Sequence, residues 1–405
     1  MKTLDQVEPR IPLNQTTAPT NGAFEHVISQ PGSYYLEGNI TTAAPVGAVL
    51  ITAEDVTLDL MGYRLNGQGV SATGIEAPGG LENIVVRNGT VTRFLANGVD
   101  LSGEAGSLVE NVTVSDCDGR GFIASDGAIL RNCRAIRVGL DAFLLTDGAT
   151  TIACVAIETS PDGSSTSFNL TDSTAIDCTA RNGGGDGFTL AGASRAAGCV
   201  AQDMEQSGFV SFATAVVLEQ CQADRNVFRG FAMQGGGVLR SCAANDNSIN
   251  IFAFNTTIDG CGVTGGTVGI ELFRSVATNC SASMVGGPGF RLTRSTMRDS
   301  VAASNEVGAL LLGRSAVLDC RFDTNAGDGV SAETGLDNRI EGNEFHNNGA
   351  YGIDIASGAT RNLVYRNVFG DFGIANTRII GATNSVGAFI TAPAVPTSPY
   401  DNIQR

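Results

Sequence analysis

Short apolar stretches recur along most of this chain, and each is followed by a turn rich in glycine, asparagine or aspartate. Within a stretch the apolar and polar residues alternate. In "GFTL" (187–190), for example, Phe188 and Leu190 are predicted to point inward and Thr189 outward. The stretches lack the periodicity of a helical face. The pattern therefore predicts many short strands joined by tight turns.

Cysteine marks the period of this pattern. Nine cysteines follow one another at intervals of about 21 residues, and Ser300 divides the one double interval between the last two. They are Cys133, Cys154, Cys178, Cys199, Cys221, Cys242, Cys261, Cys280 and Cys320. A repeat of this length without a helical face predicts the stacked coils of a parallel β-helix.

Equivalent residues of stacked coils lie above one another, so we expect the nine cysteines to form an inward column of buried, reduced thiols. Asn88 and Asn111 are expected to continue this column before the cysteines, and Asn343 and Asn367 after them. Cys117 lies off the column and is the one cysteine expected to be exposed. A second recurrent asparagine is expected at left-handed turn positions. Its members are Asn226, Asn247, Asn305, Asn325 and Asn348.

The repeat predicts an all-β chain that forms a single solenoid of about 13–14 coils. We expect residues 1–47 to cap the first coil, residues 48–370 to form the β-helix, and residues 371–405 to form a tail along its outside.

Two motifs, "ISQPGSYYLEGNI" (28–40) and "FHNNGAYGIDI" (345–355), resemble the bacterial right-handed parallel β-helix proteins. These are the pectate-lyase-like and NosD-like repeat families, and the resemblance covers about residues 28–370. It implies a right-handed solenoid that acts on polysaccharide as a lyase, hydrolase or epimerase, or that binds carbohydrate without chemistry. No motif of one particular enzyme family is present.

The turn position two residues before the inward aromatic is the first candidate site. In successive coils it holds Arg120, Asp141, Thr166, Asp186, Ser207, Arg229 and Asn250. Asp141 and Asp186 are predicted two coils, or about 9–10 Å, apart, close to the spacing of an acid and a base in inverting glycosidases. Arg120 and Arg229 flank them and are expected to bind sugar units. The alternative is that an aspartate before glycine is an ordinary turn residue.

A group of arginines is the second candidate site. Arg274, Arg294 and Arg314 recur at steps of 20 residues, so they should lie on one face of the stack. Glu271 and Arg291 are expected to point outward on neighbouring coils beside them. Stacked guanidinium groups repel one another and need anions nearby. Either Asp299 and Asp319 supply these anions, or an anionic polysaccharide does.

Charge and composition exclude several classes of partner. The formal net charge of −16 argues against binding to nucleic acid or to an anionic membrane surface. No apolar run is long enough to span a membrane. The two histidines, His26 and His346, are far apart in the sequence, so we expect no metal site and no cofactor; calcium stays open but has no supporting motif. The oligomeric state is left open.

These observations predict a polysaccharide-active β-helix protein, a lyase or hydrolase of an extracellular glycan, with a groove along one parallel sheet. The alternative is a non-catalytic carbohydrate-binding or surface-structural protein. An extracellular or cell-surface location is expected, and the first residues do not have the apolar core of a signal peptide.

Overall fold

The computed structural model describes residues 10–42, 45–371, 373–380, 383–391 and 398–404. The other residues of the predicted cap and tail lie outside these ranges. Contacts divide the chain into two compact units, residues 1–206 and 207–405, and each is described by itself. The regular elements of the described residues are β-strands. No helix within these ranges has the length and apolar character needed to cross a membrane.

Each coil gives one strand to a first sheet, here called the front sheet, and one or two short strands to a second, the back sheet. In the 1–206 unit the front sheet comprises Phe24–Ile28, Gly47–Ile51, Ile75–Glu76, Val99–Leu101, Phe122–Ala124, Phe143–Leu145, Phe168–Thr171 and Phe188–Ala191. The back sheet of this unit comprises Ile11–Pro12, Gly32–Tyr35, Ile40–Thr41, Val56–Asp59, Arg64–Ser71, Val85–Phe94, Leu108–Ser115, Ile129–Arg131, Arg134–Ile136, Thr150–Ile152, Val155–Ile157, Thr174–Ile176, Thr179–Arg181, Arg195–Ala197 and Val200–Gln202.

The 207–405 unit is built in the same way. Its front sheet comprises Phe209–Ser211, Arg229–Met233, Ile249–Phe254, Val268–Phe273, Pro288–Thr293, Val307–Leu311, Val330–Ala332, Tyr351–Ile355 and Ala375–Ile379. Its back sheet comprises Val217–Glu219, Gln222–Asp224, Gly237–Arg240, Ala243–Asn245, Thr256–Asp259, Gly262–Thr264, Val276–Thr278, Ser281–Ser283, Thr296–Arg298, Val301–Ala303, Ala316–Leu318, Arg321–Asp323, Arg339–Glu341, Glu344–His346, Leu363–Tyr365, Val368–Phe369, Ser385–Val386, Phe389–Thr391 and Asn402–Gln404.

Neighbouring coils pair in parallel, so the predicted all-β parallel solenoid is confirmed. It has about 18 turns rather than 13–14. The number rises because coils form before the cysteine column begins: Phe24–Ile28, inside the predicted cap, already pairs in register with Gly47–Ile51. At the other end, Ala375–Ile379 of the predicted tail pairs with Tyr351–Ile355.

Stacked phenyl rings fill the core behind the front sheet. In the 1–206 unit the ring centroids of Phe122, Phe143, Phe168 and Phe188 follow one another at 5.0, 4.7 and 4.6 Å. All four rings are fully buried, as the alternating pattern predicts. Each coil thus places an identical side chain on its neighbour, and offset stacking adds to the apolar burial.

The predicted burial of the nine column cysteines is confirmed, and all are free thiols. In the 1–206 unit the backbone N–H of Cys133 donates to Sγ of Cys154 at 3.4 Å. In the 207–405 unit the N–H of Cys280 donates to Oγ of Ser300 at 3.0 Å, and Ser300 is 1% exposed. Ser300 therefore occupies the column position that the double interval predicts.

Two expectations about the column are wrong. Cys117, expected to be exposed, is buried, and its thiol donates to the carbonyl of Ser115 at 3.5 Å. Asn88 and Asn111 lie one residue out of the column, at left-handed positions within the strands Val85–Phe94 and Leu108–Ser115, with φ of 58° and 54°. Because Thr113 pairs with Arg134, it is Val112 that stands opposite Cys133.

Asn343 and Asn367 do continue the column, as predicted. The N–H of Cys320 donates to Oδ1 of Asn343 at 2.9 Å, and the N–H of Asn343 donates to Oδ1 of Asn367 at 3.0 Å. Their amide oxygens accept the same kind of bond that the thiols accept elsewhere in the column.

The second asparagine column is also inward, which corrects the expectation of turn positions. Asn325 is buried, and the left-handed residue is its predecessor, Thr324. Oδ1 of Asn325 accepts hydrogen bonds from N–H and Nδ2 of Asn305, both at 3.1 Å. Its Nδ2 donates to the carbonyl of Ala302 at 3.1 Å and to Oδ1 of Asn348 at 2.9 Å. Every hydrogen-bonding group of this amide therefore has a partner, so burying the amide does not incur the cost of an unpaired polar group.

Ser300→Cys should leave the melting temperature essentially unchanged, because Sγ can accept the N–H of Cys280 as it does in the coils around it. Thermal unfolding followed by circular dichroism measures this. A fall of many degrees would show that this coil is packed differently from its neighbours.

Asn325→Leu should lower the free energy of unfolding by about 2–4 kcal/mol, because buried groups of the two neighbouring coils, on Asn305, Ala302 and Asn348, lose their hydrogen bonds to its side chain. Glu306→Ala, on the exposed surface nearby, is the control and should change it by less than about 0.5 kcal/mol. Denaturant titration compares the two. Equal effects would mean that the amide column contributes nothing to stability.

Candidate functional site

A cavity of about 580 Å³ lies against the outer face of the front sheet in the 207–405 unit. We call it the arginine pocket. Its lining includes Arg274, Arg294, Arg314, Phe254, Phe273 and Leu312. Three of the predicted substrate-binding residues therefore meet in one cavity.

Local backbone structure sets the spacing of the three arginines. Arg274 and Arg294 follow a front-sheet strand directly, and Arg314 follows one after Leu312 and Gly313. All three adopt a left-handed conformation, with φ of 49° to 53°. Each is followed by a buried serine, and the serines link successive coils. The N–H of Ser275 donates to Oγ of Ser295 at 3.1 Å, and the N–H of Ser295 donates to Oγ of Ser315 at 3.4 Å. The arginines thus stand one coil, about 4.8 Å, apart along the stack.

The three guanidinium groups are poorly neutralised. Arg314 lies 3.7 Å from Asp337, and Arg274 lies over the ring of Phe254 at 6.0 Å. Within the described ranges Arg294 makes no ion pair and no side-chain hydrogen bond. Arginine keeps its charge at every physiological pH, so the pocket holds a concentrated positive charge in a chain of net charge −16.

Asp299 and Asp319, the expected counter-ions, do not pair with the arginines in the part of the chain that the structure describes. They lie beside a back-sheet strand and line a separate cavity of about 370 Å³ with Glu344. Their spacing along the sequence matches that of the arginines, but they stand at a different corner of the coil. This alternative is therefore wrong.

Glu271 and Arg291 point outward on neighbouring coils, as predicted, but they pair with each other. They occupy opposite positions of adjacent strands, and Nη1 of Arg291 lies 3.2 Å from Oε1 of Glu271. Glu271 is nearly buried. The pair is neutral as a unit and forms part of the sheet surface next to the pocket.

The sequence analysis missed the aromatic residues of the outer face. In "NIFAFN" (250–255) the inward positions are Ile251 and Ala253, so Phe252 and Phe254 point outward. Phe252 and Phe273 lie with ring centroids 5.9 Å apart, and the guanidinium of Arg229 lies 4.5 Å above the ring of Phe252. The strand alternation carries this signal, because the inward positions on either side of Phe252 hold Ile251 and Ala253.

Asp141 and Asp186 lie in the 1–206 unit at the predicted positions. Phe143, Phe168 and Phe188 are in register, so the two aspartates stand two coils apart with Thr166 between them. Asp141 is 4% exposed and both its oxygens are engaged. Nε of Arg120 donates to Oδ2 at 3.1 Å, and the N–H of Thr166 donates to Oδ1 at 2.9 Å.

Asp186 is half-buried, and its backbone carbonyl accepts the N–H of Ser167 at 3.0 Å. A catalytic role for Asp141 and Asp186 stays a prediction. The geometry favours a role for Asp141 in joining three coils. Arg229 belongs to the other unit, where Ile249, and not Asn250, stands opposite it.

A further carboxylate group, which the sequence analysis missed, lies in the 207–405 unit. Asp354 accepts two hydrogen bonds from Arg378, at 2.7 and 2.6 Å, and Arg378 lies 4.9 Å from the ring centroid of Tyr351. Burial raises the pKa of Asp328, and the nearby charge of Asp354 raises it further. Asp354 is not free to act as a base, because Arg378 binds both of its oxygens.

Across the described ranges, no three His, Cys, Asp or Glu side chains form a group suited to a metal ion. The predicted metal and cofactor absences, and the open question of calcium, stay predictions.

Comparison with known proteins assigns the fold to a family. The profile described as "Right handed beta helix region" matches residues 37–163 and 248–381, which together exceed half of the chain. The protein belongs to this family of right-handed parallel β-helix proteins. No curated protein matches the sequence significantly.

Solved structures with similar folds include two proteins of stated function. The A-module of the mannuronan C-5 epimerase AlgE4 from Azotobacter vinelandii is 16% identical, with 88% of this chain and 91% of that chain covered and a TM-score of 0.32. The tailspike protein of E. coli bacteriophage HK620, solved with a pentasaccharide, is 12% identical, with 85% and 72% covered and a TM-score of 0.46. At these values neither likeness carries an argument about function.

Proposed function

We propose that this protein binds an acidic polysaccharide on the front sheet of its 207–405 unit, with the arginine pocket as the binding site. The observation that carries the proposal is the column of three under-neutralised guanidinium groups beside outward phenyl rings. An extracellular or cell-surface location follows from a ligand of this kind.

The chemistry of the pocket matches such a ligand on two counts. Guanidinium groups bind carboxylate and sulfate oxygens through paired, charge-assisted hydrogen bonds. The phenyl rings of Phe254 and Phe273 offer an apolar surface to the C–H face of a pyranose. The one-coil step between the arginines, about 4.8 Å, is close to the length of one sugar unit, so a chain along the stack can meet all three.

Cleavage of a glycan as a hydrolase or lyase is the second candidate function. Its supporting observation is the position of Asp141 and Asp186 on alternate coils of one edge, a spacing of about 9–10 Å. The engagement of both Asp141 oxygens weakens it. Binding without cleavage is therefore the better supported function.

Arg294→Gln should weaken binding of a polyuronate by about tenfold to a hundredfold and reduce its salt dependence, because it removes a guanidinium that makes no ion pair with any described residue. Arg298→Gln is the matched control: the same charge is lost four residues away, on an exposed back-sheet position outside the pocket. Isothermal titration calorimetry with polygalacturonate, and with a neutral glucan for comparison, measures the effect. Equal losses in the two variants would overturn the proposal.

Asp141→Asn and Asp186→Asn test the second candidate. If the protein hydrolyses glycans with this pair, each variant should lose at least about a hundredfold in turnover and keep its fold, since asparagine tolerates the same turn geometry. Reducing-end release from acidic and neutral polysaccharides measures turnover. Unchanged turnover in both variants would remove this pair from the chemistry.

A further inference from the structure

Phe212 is a large apolar side chain left on the surface of the 207–405 unit, with 63% of its area exposed. It follows the front-sheet strand Phe209–Ser211, at the position that Phe254 and Phe273 occupy in later coils. Gln234 holds this position in the coil between them, and its N–H donates to the carbonyl of Ser211 at 2.8 Å.

These equivalent outward positions, one in each coil, form a column that continues the floor of the arginine pocket. In register it holds Phe212, Gln234, Phe254, Phe273, Thr293 and Leu312. The last four of these line the pocket, and the first two lie beyond it. From Phe212 to Leu312 there are five coil steps, or about 24 Å.

Three consecutive glycines keep the space beside Phe212 open. Gly235, Gly236 and Gly237 follow Gln234, so this turn carries no side chain that could cover the ring. A Cβ at Gly235 would lie 2.1 Å from the carbonyl oxygen of Phe212, so the two backbones are in close contact. Gly236 and Gly237 have φ of 115° and 113°, which side chains rarely adopt. The backbone under the ring is held in place while the ring itself stays accessible.

We propose that Phe212 and Gln234 form an additional subsite for the same glycan, so that the ligand is a polymer extending along the stack beyond the arginine pocket. This inference rests on the proposed function and deepens it. The exposed ring of Phe212 stacks against the apolar face of a sugar unit. The amide of Gln234, which has no side-chain partner within the described ranges, supplies both a donor and an acceptor to sugar hydroxyls.

The subsite differs from the pocket in the chemistry that it recognises. It holds no charged group of its own, so it adds affinity through contact area and hydrogen bonds and is insensitive to whether the sugar is acidic. Its contribution should therefore depend on the length of the oligosaccharide and little on salt. The arginine pocket should show the opposite dependence.

Binding of defined oligogalacturonates of increasing length tests the subsite. For the parent protein we expect affinity to rise up to about five or six units, the number needed to span the column at one unit per coil. Phe212→Ala should reduce the affinity for hexamers about five- to tenfold and leave the affinity for trimers unchanged. Phe228→Ala is the control, because Phe228 is similarly exposed, at 57%, but precedes its front-sheet strand and lies outside the column.

The outcomes separate this inference from the proposed function. If trimers bind and Arg294→Gln weakens them, but neither length nor Phe212→Ala matters, the additional subsite is wrong and the arginine pocket stands. An equal loss with Phe228→Ala would also overturn the subsite. If neither trimers nor hexamers bind the parent protein, the proposed function itself fails. If Phe212→Tyr keeps the hexamer affinity that Phe212→Ala loses, the result would support ring stacking over a general effect on folding.

Discussion

The parallel hydrogen bonds between successive coils are the constraint on which the rest of this structure depends. They hold each residue above its equivalent in the coil before it. The side chains that fit a given position are therefore those that pack well against a copy of themselves one coil away. Phenyl rings stack with their centroids 4.6–5.0 Å apart. An asparagine amide both accepts a hydrogen bond from the coil on one side and donates one to the coil on the other. Thiols and hydroxyls accept the backbone N–H of the coil before them.

This constraint explains what could be predicted from the sequence. The interval between cysteines predicts the number of residues in one coil, and the double interval correctly predicts that Ser300 lies in the core. It did not distinguish adjacent positions that use the same residue type. Asparagine serves as a left-handed residue within a strand at Asn111 and as a buried column residue at Asn343, and only the pairing of neighbouring strands separates the two. The spacing of Asp299 likewise matched that of the arginines without showing that it lies at another corner.

The outward face of the sheets was the least predictable part of the structure. The alternation of apolar and polar residues predicts which side chains point outward, but it does not predict which of them contact one another. Opposite charges at equivalent positions of neighbouring coils pair with one another. Glu110 pairs with Arg131, Asp141 with Arg120, and Glu271 with Arg291. Four of the predicted site residues take part in such pairs, namely Arg120, Asp141, Glu271 and Arg291.

Columns of one charge sign behave differently, and the two signs are not equivalent. Glu76 and Asp100 stand opposite each other on neighbouring front-sheet strands. Burial raises the pKa of Glu76, and the charge of Asp100 raises it further, because a like charge nearby favours the neutral form of a carboxyl. Arginine has no such response, since its guanidinium does not deprotonate in proteins. The repulsion within a column such as Arg274, Arg294 and Arg314 can be relieved only by anions from outside it. Of these three arginines, Asp337 lies near Arg314 alone in the described part of the chain, and it also pairs with Arg361. This difference between the two charge signs is the physical basis of the proposed anionic ligand.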